Sequence, residues 1–127
     1  MSQDQPSKVP VVGDRLSQLL AHQRDFMRLL RWEPWHLGKD TLDRGQATKD
    51  TAFALMSELH EVMGEVNWKP WKKTPKVVDE QKVKEELIDC VFFLLELLLI
   101  WGFQPSELFR MYEEKLRVNI DRQNSGY

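Results

Sequence analysis

Apolar positions along this chain recur at intervals of three and four, the period of a helix. Leu16, Leu19, Leu20, Phe26, Met27 and Leu30 follow Asp14, a residue type that caps helix N-termini, so a first helix is predicted from there. The segment "RWEPWHLGKDTLDRGQ" breaks the pattern with Pro34, Gly38 and Gly45 and reads as a long connection of the kind that forms functional lids. A second helix is predicted from about Thr48 to about Val66, with Leu55, Leu59, Val62 and Val66 on one stripe. Pro70 and Pro75 punctuate the next loop. A third helix is predicted from about Val77 to Trp101 and stops at Gly102; Pro105 opens a fourth that fades near Arg122. No stretch alternates like a strand and no repeat of fixed period is visible. The pattern is all-α, a four- to five-helix bundle forming a single domain over 14–127. A polar stretch with Pro6 and Pro10 precedes it and is predicted to be a flexible arm over 1–13.

The third helix is unusual. "LIDCVFFLLELLLIWGF", Leu87 to Phe103, is apolar except for Asp89, Glu96 and Gly102. Its length is near the minimum for a membrane span, but two acids in lipid would be costly. It reads instead as a helix buried on nearly every side, with Trp101 in the core. A small monomer rarely surrounds such a helix alone, so a homodimer or dimer-based tetramer is expected, with this helix at the interface.

Composition narrows the classes. A chain of 127 residues fits one domain, and 42% hydrophobic with 30% charged residues is that of a globular protein. A net charge of -2 gives no strong field toward nucleic acid or membrane, and neither is expected as a partner. Cys90 is the sole cysteine, so no intrachain disulfide can form and a reducing, cytoplasmic compartment fits. The N-terminal stretch lacks the apolar core of a signal peptide.

The charges carry the chemistry. On the second helix Glu58, Glu61 and Glu65 fall within roughly 60° of one another, beside the apolar stripe. Like charges so spaced repel, and something should offset that. On the third helix Glu86 and Asp89 are spaced i, i+3, with Phe93 and Ile100 continuing their face. Exposed glutamates in helix salt bridges would account for either pair alone. Two pairs, both edging apolar faces, favour four oxygen donors converging on Mg²⁺ or Mn²⁺.

Lys115, Asn119 and Arg122, at i, i+4 and i+7 on the fourth helix, share a face suited to phosphate oxygens, although alone they would read as a solvated stripe. "WKPWKK" adds Lys69, Lys72 and Lys73 after the acidic helix. Acids, mobile lysines and an Arg/Asn stripe together describe a nucleoside polyphosphate with bound metal. Trp68 and Trp71 fit base stacking and ordinary packing equally. His22, His36 and His60 show no metal spacing and read as structural.

"ELHE" at Glu58–Glu61 followed by "ELID" at Glu86–Asp89 resembles the ExxE…ExxD signature of the all-α NTP pyrophosphatase superfamily, which includes MazG-like proteins. "NWKPWKK" and the ending "EEKLRVNIDRQNSGY" resemble segments of its dimeric dUTPase branch. The resemblance covers about Leu16 to Tyr127. It implies hydrolysis of a deoxynucleoside triphosphate to monophosphate and pyrophosphate, dUTP by analogy. It implies Mg²⁺ on Glu58, Glu61, Glu86 and Asp89, with Glu58 orienting or deprotonating the attacking water. It implies phosphate contacts from Lys69, Lys72, Lys115, Asn119 and Arg122, and base or sugar contacts from Gln23, Trp68, Trp71 and Tyr127. Two departures bear on the base. The branch carries Asp or Asn four residues after the first-helix Gln, where this chain has Met27. It also often has His after its "EExxDxx" stretch, where this chain has Phe92 and Phe93. A purine substrate, dGTP or dATP, therefore stands as an alternative. A non-catalytic helical dimer binding nucleic acid through its basic-aromatic loop is a second.

Overall fold

The structure, a computed structural model, describes residues 13–30 and 41–126. Among them are four helices and no strand: α1 (Arg15–Leu29), α2 (Thr41–Gly64), α3 (Glu80–Ile100) and α4 (Pro105–Asn124). The N-terminal arm, apart from Gly13, and 31–40 of the long connection lie outside the described residues, as do His36 and Tyr127.

Local chemistry sets the ends. The Asp14 carboxylate accepts from the Ser17 amide at 2.9 Å and from its hydroxyl at 3.0 Å, which satisfies a free donor in the first turn of α1. Asp79 does the same for α3, accepting from the amides of Gln81 at 3.1 Å and Lys82 at 3.3 Å. At the other end of α3 the Phe103 amide reaches back to the Leu98 carbonyl and the Gly102 amide to that of Leu99, both at 3.0 Å. This Schellman closure needs a left-handed residue, and Gly102 supplies φ +74°. Pro105 then starts α4 without losing a useful amide donor.

α3 is the central element, with α2 packed along one side of it and α1 on another. Leu20 and Met27 of α1 bury against Leu95 and Leu99 of α3, with Leu16 and Leu98 closing the cluster. Each such side chain contributes about 1.5–3 kcal/mol by leaving water. α2 begins at Thr41, not near Thr48, and so continues through Gly45 despite a propensity cost of about 1 kcal/mol. Contacts with the end of α3 hold it: Trp101 donates its indole N–H to the Thr48 hydroxyl at 2.9 Å, and the Arg44 guanidinium lies over the Trp101 ring at 5.2 Å.

Those contacts correct the core reading of Trp101, which is 51% exposed. Its polar N–H and a cation over its face fit a half-wet site better than an apolar interior. Leu59 is likewise exposed, because it sits at the edge of its stripe and not at its centre. Within one chain α3 is not enclosed: Leu87, Ile88, Val91, Phe92 and Leu94 all remain exposed. α4 differs most. None of its residues is buried, and it packs only on α1 among the described helices.

Candidate metal centre

The α2–α3 pairing brings three carboxylates together. One oxygen from each of Glu58, Glu86 and Asp89 lies within 4.8 Å of the others. Glu58 and Glu86 are half-buried and Asp89 is exposed. Their helical registers place them there: Glu58 extends the α2 face that carries Thr51, Leu55 and Val62 toward α3, and Glu86 and Asp89 lie one turn apart on α3.

The electrostatics are those of an acid cluster. Glu86 is held above the ordinary carboxylate range, first by loss of solvent and then by the negative charges of Asp89, Glu61, Glu58 and Glu65. Cys90, buried beside the cluster, has its thiol pushed up by the same two causes, with Glu58, Asp89 and Glu86 as the charges. It is an inert neighbour, because thiolate formation is disfavoured there. Oxygen-only donors at this spacing, destabilised by their own repulsion, fit a hard divalent cation. Glu61 lies outside the three-carboxylate group but close enough to act on Glu86.

Other sequence-predicted residues lie elsewhere. Trp68, Lys69 and Lys72 line a cleft of about 340 Å³ at the end of α2, together with His60 and Lys76; none of the four predicted metal ligands lines it. The Asn67 side chain clamps this loop, donating to the Lys76 carbonyl at 2.8 Å and accepting from its amide at 3.1 Å. Lys76 Nζ donates to the carbonyl of Gly64 at the end of α2. Trp71 meets Trp68 edge-on at 6.0 Å, and Lys69 Nζ sits 5.3 Å above the Trp68 ring. Lys115, Asn119 and Arg122 lie on exposed α4. Gln23 is buried on α1, and its Oε1 accepts no hydrogen bond among the described residues; Met27, one turn on, is fully buried in the α1–α3 core.

One buried polar pair escaped the sequence reading. Thr51 donates its hydroxyl to Glu96 Oε2 at 2.7 Å inside the α2–α3 contact. An acid in an apolar run signals that a partner exists, but nothing local identifies Thr51, 45 residues away.

A model of the dUTPase family matches residues 15–101, and the chain belongs to this family of all-α proteins. It is 32% identical over 71 residues to a dCTP pyrophosphatase of Enterobacteria phage T4, covering 47% of this chain and 42% of the relative. It is 31% identical over 71 residues to a dCTP pyrophosphatase of Enterobacteria phage LZ5, covering 47% and 41%. The match thus spans less than half the length of each of these relatives. No solved structure matches the chain. No helix among the described residues is long and apolar enough to cross a membrane.

Proposed function

We propose that this protein hydrolyses a pyrimidine deoxynucleoside triphosphate, dCTP or dUTP, to the monophosphate and pyrophosphate. The observation that carries the reading is the convergence of Glu58, Glu86 and Asp89 in a chain of the dUTPase family. The phage relatives support a pyrimidine base.

In this reading Glu58, Glu86 and Asp89 hold Mg²⁺ or Mn²⁺, and Glu61 joins them. A cation held there would neutralise charge along the triphosphate and favour deprotonation of the attacking water. Glu58 orients the attacking water and takes its proton. The water oxygen bonds to the α-phosphorus, the bridge to the β-phosphate breaks, and pyrophosphate leaves. Lys115, Asn119 and Arg122 hold phosphate oxygens, and Lys69 and Lys72 approach the same chain of phosphates. The Gln23 carboxamide, whose Oε1 accepts no hydrogen bond among the described residues, reads the base; Trp68, Trp71 and Tyr127 cover base and sugar. The working unit is one domain over 14–127, a cytoplasmic homodimer or dimer-based tetramer.

The test is pyrophosphate release from a panel of dNTPs and NTPs, with Mg²⁺ and with chelator. Magnesium-dependent turnover highest for dCTP or dUTP is expected. Preference for dGTP or dATP would move the base assignment to purines, and no hydrolysis of any nucleotide would overturn the enzyme reading.

A further inference from the structure

α2 and α3 run antiparallel, and their register decides which acids meet. Thr51 meets Glu96 at one level of the contact, and Glu58 meets Glu86 and Asp89 at another. Glu58 lies seven residues after Thr51 on α2, and Asp89 lies seven residues before Glu96 on α3. Seven residues are close to two turns, roughly 10 Å of axis, so on each helix the two positions share a face. The two meetings are therefore one register at two levels.

Apolar contacts do not choose that register. Between Asp89 and Gly102 the only charged residue of α3 is Glu96, and the rest of the stretch is apolar on every face. Sliding it by one turn exchanges one aliphatic or aromatic side chain for another. α2 opposes it with Ala47, Ala54, Leu55 and Val62, which tolerate the same slide. The buried polar pair does not. Thr51 is 2% and Glu96 7% exposed, and the hydroxyl donates to Glu96 Oε2 at 2.7 Å. A slip of one turn sets Glu96 opposite Leu55, which has no donor, or opposite Thr48, whose hydroxyl already donates to the Arg44 carbonyl at 2.7 Å. In either direction a buried carboxylate oxygen loses a donor that water does not replace, a cost that exchanging apolar side chains lacks. One buried polar contact among interchangeable apolar layers fixes register in coiled coils for the same reason. The slip would also carry Glu58 about 5 Å along the axis, as far as the whole 4.8 Å span of the three carboxylate oxygens.

We propose that the Thr51–Glu96 pair locks the register of α2 on α3 and thereby places Glu58 against Glu86 and Asp89. Thr51 and Glu96 are then positioning residues, two turns from the carboxylates they align. What the carboxylates bind rests on the metal-centre reading; the register lock does not.

Thr51→Val keeps the branched shape and removes the donor, and Thr51→Ser keeps the donor. The probe is Mn²⁺, its free fraction measured by electron paramagnetic resonance, and no turnover is needed. Thr51→Val should bind Mn²⁺ roughly ten- to hundred-fold more weakly than wild type, the range for residues that orient metal ligands, and Thr51→Ser should recover most of the affinity. Leu20→Ala, in a core cluster that holds no α2 residue, lowers stability elsewhere and should leave the affinity unchanged. Equal weakening in Leu20→Ala and Thr51→Val would make the pair merely structural and overturn the proposal. Register itself is read without metal. With Cys90→Ser as background, spin labels at Lys49→Cys on α2 and Lys84→Cys on α3, both exposed positions, report the spacing of the two helices along their axis. One narrow distance is expected with Thr51 or Thr51→Ser. Thr51→Val should broaden it or shift it by about 5 Å, one turn. An unchanged distance, or a changed distance with wild-type Mn²⁺ affinity, would overturn the proposal. A wild-type chain that binds no Mn²⁺ would remove the metal reading, and the distances alone would then decide the register lock. Thr51→Ala replaces Thr51→Val if the latter does not fold.

Discussion

Glu58, Glu86 and Asp89 on the α2–α3 pair and Lys115, Asn119 and Arg122 on α4 are both charge patterns at helical spacing, yet the first lies where two helices pack along each other and the second on a helix without a buried residue. The acids sit beside Cys90 and within a few turns of the buried Thr51–Glu96 pair, so packing fixes their spacing before any ligand arrives. The basic residues sit on a helix with no buried residue, which packs on α1 among the described helices. Packing that takes Glu86 out of solvent and sets it among other acids disfavours its charged form, so its carboxyl lies above the ordinary range. A ligand of opposite charge then recovers what the fold gave up.

Removing one carboxylate should produce the largest effect. Asp89→Asn or Glu86→Gln should lower pyrophosphate release on the order of a thousand-fold, because a cation's share of transition-state stabilisation is several kcal/mol. Circular dichroism should show the helices intact, and wild-type rates in both variants would sink the metal-centre assignment.

Stability separates the two regions next. Leu99→Ala opens the α1–α3 core and should cost about 2–5 kcal/mol in denaturant unfolding. Leu116→Ala on exposed α4 should change monomer stability by no more than about 0.5 kcal/mol. It should instead weaken self-association in sedimentation, and equal unfolding costs for the two would erase the distinction drawn between the helices.

Arg122 probes the stripe itself. Arg122→Ala should reduce kcat/KM by roughly ten- to hundred-fold, the loss of a charge-assisted contact of about 1.5–3 kcal/mol. Arg122→Lys should recover part of this, since an ammonium cannot make a forked contact. The monophosphate as competitive inhibitor should lose less affinity than the triphosphate loses efficiency; equal losses would make Arg122 structural.

The smallest effect is the pH dependence of the metal-free protein. Glu86 has a folded-state pKa above its unfolded value, so its neutral form favours folding. That contribution is complete below the usual carboxylate range and disappears as pH rises through the raised pKa. Thermal unfolding in chelator should therefore show Glu86→Gln gaining stability relative to wild type above this window and matching it below. Added Mg²⁺ should reverse the ranking, and an unchanged difference across pH would remove the charge cluster as its cause.

Periodicity and capping chemistry determined much of this protein by themselves. Asp14, Gly102 and Pro105 mark helix boundaries that the structure keeps, because caps and left-handed stops act within a few residues. The acid pairs were legible for the same reason: i, i+3 spacing is a local geometry. Other features depended on residues far apart in the chain. The start of α2 at Thr41, the exposure of Trp101 and the pairing of Glu96 with Thr51 all arise where the two ends of α2 and α3 meet. So does the choice of which three carboxylates converge, since Glu58 and Glu86 belong to different helices. The separation of α4 from the acids is of this kind as well: its sequence pattern states which face is apolar, but only the packing of the other helices leaves that face exposed among the described residues. Local spacing decides which side chains share a face; which face meets which depends on burial summed over the whole chain, a quantity no short stretch of sequence contains.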